Sequence, residues 1–190
     1  MTLAPGTYGL GPGDGTLTVR TGKTGAASKA GHNLLIDVTA WSATLDLGDE
    51  PGEAAMALTA DARSLRVREG SGGMQALGEE EKASIEQSID DDVLKGGAIE
   101  FRSTSVAPGP DGTLRVQGDL DLLGTRRPIA FDLALGGGER LTASARFRQT
   151  DFGIKPFSTL FGTLKVADQV EVALDARLPA ARPRKVQGPT

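Results

Sequence analysis

The 190-residue chain contains no cysteine, which excludes disulfides, thiolate zinc sites and cysteine nucleophiles. A single histidine excludes any multi-histidine metal site and leaves one candidate histidine base. Aromatic residues make up only 4%, with one Trp and one Tyr, and the formal net charge is -4. A mildly acidic surface with few stacking rings is a poor match to nucleic acid. No apolar run approaches the roughly 18 to 20 residues of a membrane-spanning helix. The opening residues Met1 to Thr7 show no basic n-region, apolar h-region or small-residue cleavage site, so a cytoplasmic location is expected. No cofactor and no metal are expected.

What the chain does have is alternation. Leu114, Val116, Leu120 and Leu122 interleave with Arg115, Gln117, Asp119 and Asp121. Ile129, Phe131, Leu133 and Leu135 follow, then Leu141, Ala143, Ala145 and Phe147, and finally Val170, Val172, Leu174, Ala176 and Leu178. Each run has the period of a strand with one buried and one wet face. Shorter sets occur at Leu17 and Val19, at Met56, Leu58 and Ala60, and from Ile99 to about Val106. Between His32 and Leu47 the parity changes. Leu34, Ile36 and Val38 share one phase; Trp41, Ala43, Leu45 and Leu47 share the other, which requires a bulge or break near residues 39–41. Gly- and Pro-rich turns separate the runs, and 26 glycines supply them. The pattern is all-β, an antiparallel meander forming a barrel or a sandwich, with the long adjacent strands favouring a barrel.

One segment departs from this. Ile85, Ile89 and Val93 fall at helical spacing, and Glu79, Glu80 and Glu81 suit the positive end of a helix dipole. One amphipathic helix is therefore expected over about residues 79–93, frayed at Asp90, Asp91 and Asp92 and capping an open barrel end. Residues 1–178 read as one domain, and the Pro-rich, basic stretch 179–190 as a disordered tail.

Few motifs could carry chemistry. Gly22-Lys23-Thr24 is not a phosphate loop, because Leu17 stands where that motif needs glycine and no helix follows. Seven acidic residues between 79 and 92 lack the spacing of a calcium loop and read as a solvated helix face. His32 shares the inward parity of Leu34 and Ile36, so it is either an interior hydrogen-bonded residue or a polar group at a barrel mouth meeting a ligand head group. Phe152, Phe157 and Phe161 put three of the six phenylalanines in one irregular segment, residues 150–168. They either fill the core or gate a cavity, with Gly153 and Gly162 as hinges. Parity turns Leu34, Ile36, Leu120, Leu122 and Phe131 inward, together with Leu133, Phe147, Val172 and Leu174. If the barrel is hollow, these line it.

Several pieces in order resemble the YceI-like family of lipid- and polyisoprenoid-binding proteins: Gly6-Thr7-Tyr8, then Gly31-His32, and Ile99-Glu100-Phe101-Arg102-Ser103-Thr104-Ser105. Gly118-Asp119-Leu120 with Leu123-Gly124-Thr125-Arg126-Arg127-Pro128 is similar to its hairpin, and Asp151-Phe152-Gly153-Ile154 to a later motif. The resemblance implies a lipocalin-like, eight-stranded antiparallel β-barrel holding a long isoprenoid or similar amphiphilic lipid in an apolar tunnel, for carriage, storage or sequestration, without catalysis. A protein-interaction module and a lipid-metabolising enzyme using His32 are the alternatives. A homodimer remains open.

Overall fold

The computed structural model describes residues 3–49, 53–159 and 162–183. Its strands are β1 (Gly6–Leu10), β2 (Gly15–Thr24), β3 (Asn33–Val38), β4 (Trp41–Leu47), β5 (Ala55–Asp61), β6 (Leu65–Ser71), β7 (Ala98–Pro108), β8 (Leu114–Leu122), β9 (Thr125–Leu135), β10 (Arg140–Arg148), β11 (Ser158–Thr159) and β12 (Leu164–Arg177). They form one sheet in the order β1-β4-β5-β7-β8-β9-β10-β12-β2-β3-β6, with β11 added to β12, and every pairing is antiparallel.

That order returns on itself. β3 and β4 lie near its opposite ends, yet only Thr39 and Ala40 separate them in the chain. β5 and β6 are likewise separated only by the 3-10 turn Ala62–Ser64. Pairing continues across both breaks. Val38 faces Leu65, Trp41 faces Ala60, and the Thr39 and Asp61 amides donate to Ser64 O and Ala40 O at 3.0 Å each. Residues 33–47 and 55–71 are thus one long hairpin bent in the middle. With β1 and β2 following the same bent stave, the strongly curled sheet has eight staves: β1/β2, β3/β4, β5/β6, β7, β8, β9, β10 and β12. The strand count exceeds the expected eight because three staves are broken by bends and the two-residue β11 is added beside β12. The phase change expected at residues 39–41 is the bend itself: Ile36 and Val38 are buried before it, and Trp41, Ala43, Leu45 and Leu47 after it. The alternation of β6 escaped the sequence reading because Leu65 and Val67 are its only apolar pair.

The bend divides the interior. At one end Tyr8 and Leu10 of β1, Trp41 and Leu45 of β4, and Val116, Leu133 and Leu141 are all buried in the core, and this end is solid. Leu45, Val116, Leu133 and Leu141 are the largest side chains with almost no exposure. At the other end the staves diverge. β9 and β10 pair only through Leu133–Ala143, Ala134–Thr142 and Leu135–Leu141, although both strands run on for several residues. The barrel is therefore split down part of one side. The 3-10 turn Gln149–Phe152 packs into that split with Phe152 buried, and its ring meets Phe147 edge-on at 5.3 Å.

The helix, α1 (Glu79–Ser88), starts where its acidic first turn places it; Glu81 accepts from the Gly78 amide at 2.8 Å. Instead of fraying at Asp90 to Asp92, the chain continues as a π-helical turn, Ile89–Leu94, and ends at Lys95 in the left-handed region. The wider turn keeps Ile89, Val93 and Leu94 against the barrel while Asp90 approaches Arg63 (3.9 Å). Beyond β3, β6 has a free edge, and Glu86 of α1 covers it by accepting from the Val67 amide at 2.7 Å. In the C-terminal stretch expected to lack order, residues 179–183 are described, and Arg182 pairs with Thr7 through two backbone hydrogen bonds of 2.9 Å. Residues 184–190 lie outside the described part.

Candidate functional site

The diverging staves and α1 enclose a cavity of about 640 Å³. Its walls come from the inward positions of β2, β3, β5, β7, β8, β9, β10 and β12. Ile85, Ile89 and Val93 of the helix and π-turn close one side, and Ile154, Phe157 and Leu164 another. Phe101 and Phe131 form an aromatic corner, centroids 5.4 Å apart. Gly118 leaves room for it, since a Cβ there would collide with the Phe101 ring. Most of the wall is aliphatic, and an amphiphile's chain fits such a surface.

Of the residues chosen by parity, Leu34, Ile36, Leu120, Leu122, Phe131, Phe147, Val172 and Leu174 line this cavity. Leu133 does not. It points inward as expected, but the bend brings the β4 side chains over that end, so it sits in solid core with no exposure. Phe152 is also core rather than wall, because it fills the split beside Phe147. Phe157 lines the cavity and is 38% exposed, at its outer edge. Phe161 lies outside the described residues.

His32 lies on the cavity rim. Its Nε2 is 2.8 Å from the Gln75 carbonyl oxygen, so Nε2 carries the proton and donates. The loop after β6 presses on the ring, and a Cβ at Gly73 would overlap Nε2. The imidazole is therefore locked to the loop.

Two rim residues escaped the sequence reading. Thr21 and Lys23 continue the inward parity of Leu17 and Val19 along β2, and both line the cavity. Lys23 Nζ donates to Gly31 O at 2.8 Å and to Gly72 O, tying the two rim loops together. The signal was present: alternation continued past the last apolar residue in polar side chains.

The segment that plugs the split is anchored to a bulge in β12 between Val166 and Val170. Asp168 accepts from the Thr150 amide and hydroxyl at 2.9 and 2.7 Å, and these bonds, the hydroxyl's first, hold its carboxyl below the usual range. Gln149 Nε2 donates to Ala167 O at 2.9 Å. Gly153 follows with a left-handed φ of 73°, where a side chain would be strained. On the outer face Arg146 and Arg20 flank Glu171 at 2.6 and 3.3 Å, and the Arg146 hydrogen bond lowers the pKa of that carboxyl.

Among the described residues no cluster of three or more metal-ligating side chains occurs, and no helix is long and apolar enough to cross a membrane. No curated protein matches the chain. Its structure is similar to the crystal structure of Burkholderia cenocepacia BcnA, at 15% identity and a TM-score of 0.57 over 84% of this chain and 94% of that one. It is also similar to a mutant CJ YceI protein with a monobromobimane guest, at 16% identity and a TM-score of 0.51 over 76% and 84%. Both likenesses concern the fold. A family model for the YceI-like domain matches residues 16–178, nearly the whole curled sheet from β2 to the end of β12, and the chain belongs to the YceI-like family.

Proposed function

We propose that the protein binds a long-chain isoprenoid or similar amphiphilic lipid inside the barrel, to carry, store or sequester it, without turning it over. The observation that carries this reading is the 640 Å³ cavity walled mostly by Leu, Ile, Val and Phe. At roughly 30 Å³ per group, the room of one liquid water, it holds on the order of 20 carbon-sized groups. A chain burying about ten methylenes gains roughly 8 kcal/mol gross; association and ordering costs bring the net down, to micromolar affinity or weaker. Membership of the YceI-like family supports the same reading. In this reading His32, held by its Nε2 to the Gln75 carbonyl, orients the rim rather than turning a ligand over.

The test is to purify the chain, extract it with organic solvent and identify the lipid by mass spectrometry. The stripped protein is then titrated with a fluorescent isoprenoid. Recovery and rebinding of an apolar-chain lipid, unchanged in mass after prolonged incubation, is expected. A stripped protein that binds no apolar chain defeats the proposal, and a lipid chemically altered by the protein defeats its non-catalytic part.

A further inference from the structure

The cavity is graded rather than uniformly apolar. Along β2 the inward positions run Leu17, Val19, Thr21, Lys23, and all four line the cavity. On β3, the next stave, they run Val38, Ile36 and Leu34, and His32 follows just beyond its end. Thr21 stands opposite Leu34 at the end of the ladder, and Lys23 and His32 each lie two residues beyond that pair. The Lys23 amide donates to Asn33 Oδ1 at 3.2 Å, which holds the strands together there. The polar ends of two neighbouring staves therefore coincide at the rim, and both apolar ends lie deep.

One group in this cluster has unused bonding capacity toward the cavity. The Thr21 hydroxyl has no hydrogen-bond partner, but its oxygen is fully shielded and is not presented to a ligand. Lys23 commits two of its three ammonium protons to the Gly31 and Gly72 carbonyls. It forms no ion pair with a carboxylate among the described residues. Glu81 also borders the cavity, but its carboxylate is held at the positive end of α1, where it accepts from the Gly78 amide. The His32 Nε2 proton is likewise spoken for. What faces the end of an inserted chain is thus one cation at the edge of an apolar space, where a charge-assisted hydrogen bond is stronger than in water.

We propose that Lys23 forms a head-group subsite for an anionic amphiphile, one whose apolar chain ends in a carboxylate or a phosphate. The inference rests on the lipid-binding reading above and narrows it to the acidic members of that class. The chain would enter tail first toward Leu17, Val38 and Leu174, leaving its charged end at the rim.

The test uses the full stripped chain and three ligands with one tail: geranylgeraniol, geranylgeranoic acid and geranylgeranyl monophosphate, titrated calorimetrically. At least one of the two anions should bind ten-fold or more tighter than the alcohol. Which anion is preferred separates a carboxylic from a phosphoric ligand. Lys23→Met should bring the anion-to-alcohol ratio to within about two-fold, and Lys23→Arg should retain it. Equal affinity for alcohol and anions in the unmodified protein overturns the subsite and requires no variant. A preference that survives Lys23→Met overturns it too. Failure of all three ligands to bind is a different result, because it removes the lipid-binding reading itself.

Discussion

Two inward leucines on the same barrel should respond oppositely to truncation. Leu133 has no exposure and is packed on every side by the closed end. Leu34 is half-buried and borders the cavity. Leu133→Ala removes about three methylene-sized groups, a transfer loss of about 2.4 kcal/mol, and leaves a void among tightly held neighbours. The total should be about 3–4 kcal/mol. For a chain of this size each kcal/mol moves Tm by about 2–4 °C, so a fall of roughly 6–16 °C is expected. Leu34→Ala enlarges a space that already exists. It forfeits little packing in the stripped protein, about 1 kcal/mol, and lowers Tm by only about 2–4 °C. Its effect should appear in binding instead, where losing contact with the ligand costs about 1–2 kcal/mol, on the order of ten-fold in Kd. Calorimetric melting of the stripped variants and titration with a fluorescent isoprenoid measure the two quantities. If Leu34→Ala lowers Tm as much as Leu133→Ala and leaves Kd unchanged, the space is not a binding cavity.

Other elements of the site make separate expectations. Phe157 stands at the outer edge of the cavity, 38% exposed, so Phe157→Ala should speed release of a fluorescent isoprenoid in stopped-flow chase experiments while lowering Tm by no more than a few degrees. Glu86 satisfies the only Val67 amide bond on the free edge of β6; Glu86→Ala should cost about 1–3 kcal/mol and make the Val67 amide exchange much faster in deuterium. The Asp168 carboxyl is held below its ordinary pKa by Thr150. Its hold on the plug is therefore complete above the ordinary carboxylate pKa of about 4 and is lost as pH falls through the lower folded value. Proteolysis within residues 149–157 should rise only in acid, and Asp168→Asn should show the same susceptibility at neutral pH.

Much of this was legible in the residues because strand alternation is a local signal. The parity of β8, β9, β10 and β12 is written in their own side chains, and so is the slip in phase at residues 39–41. Ile85, Ile89 and Val93 likewise announce the helix. What alternation does not carry is the identity of the opposing surface. Phe131 and Leu133 are two residues apart on one face of β9, yet one borders the cavity and the other is solid core, because the bent β4 covers only one of them. The broken β9–β10 ladder is equally silent, since a strand edge reads the same whether or not it finds a partner. The inward positions of Thr21 and Lys23 are hidden because hydropathy marks the inward stripe of β2 only as far as Val19.

The bend at Thr39 and Ala40 has one more consequence. By setting a packed end apart from a hollow one, it assigns folding and ligand choice to different residues. Leu45, Val116, Leu133 and Leu141 hold the staves together whatever occupies the cavity, and deuterium should enter their backbone amides last. Wall positions such as Ala143, Ala145 and Val172 can change size, and so change the length or branching of the chain admitted, without loosening that anchor. A single scaffold of this kind can therefore diverge toward many apolar cargoes through substitutions at its hollow end alone.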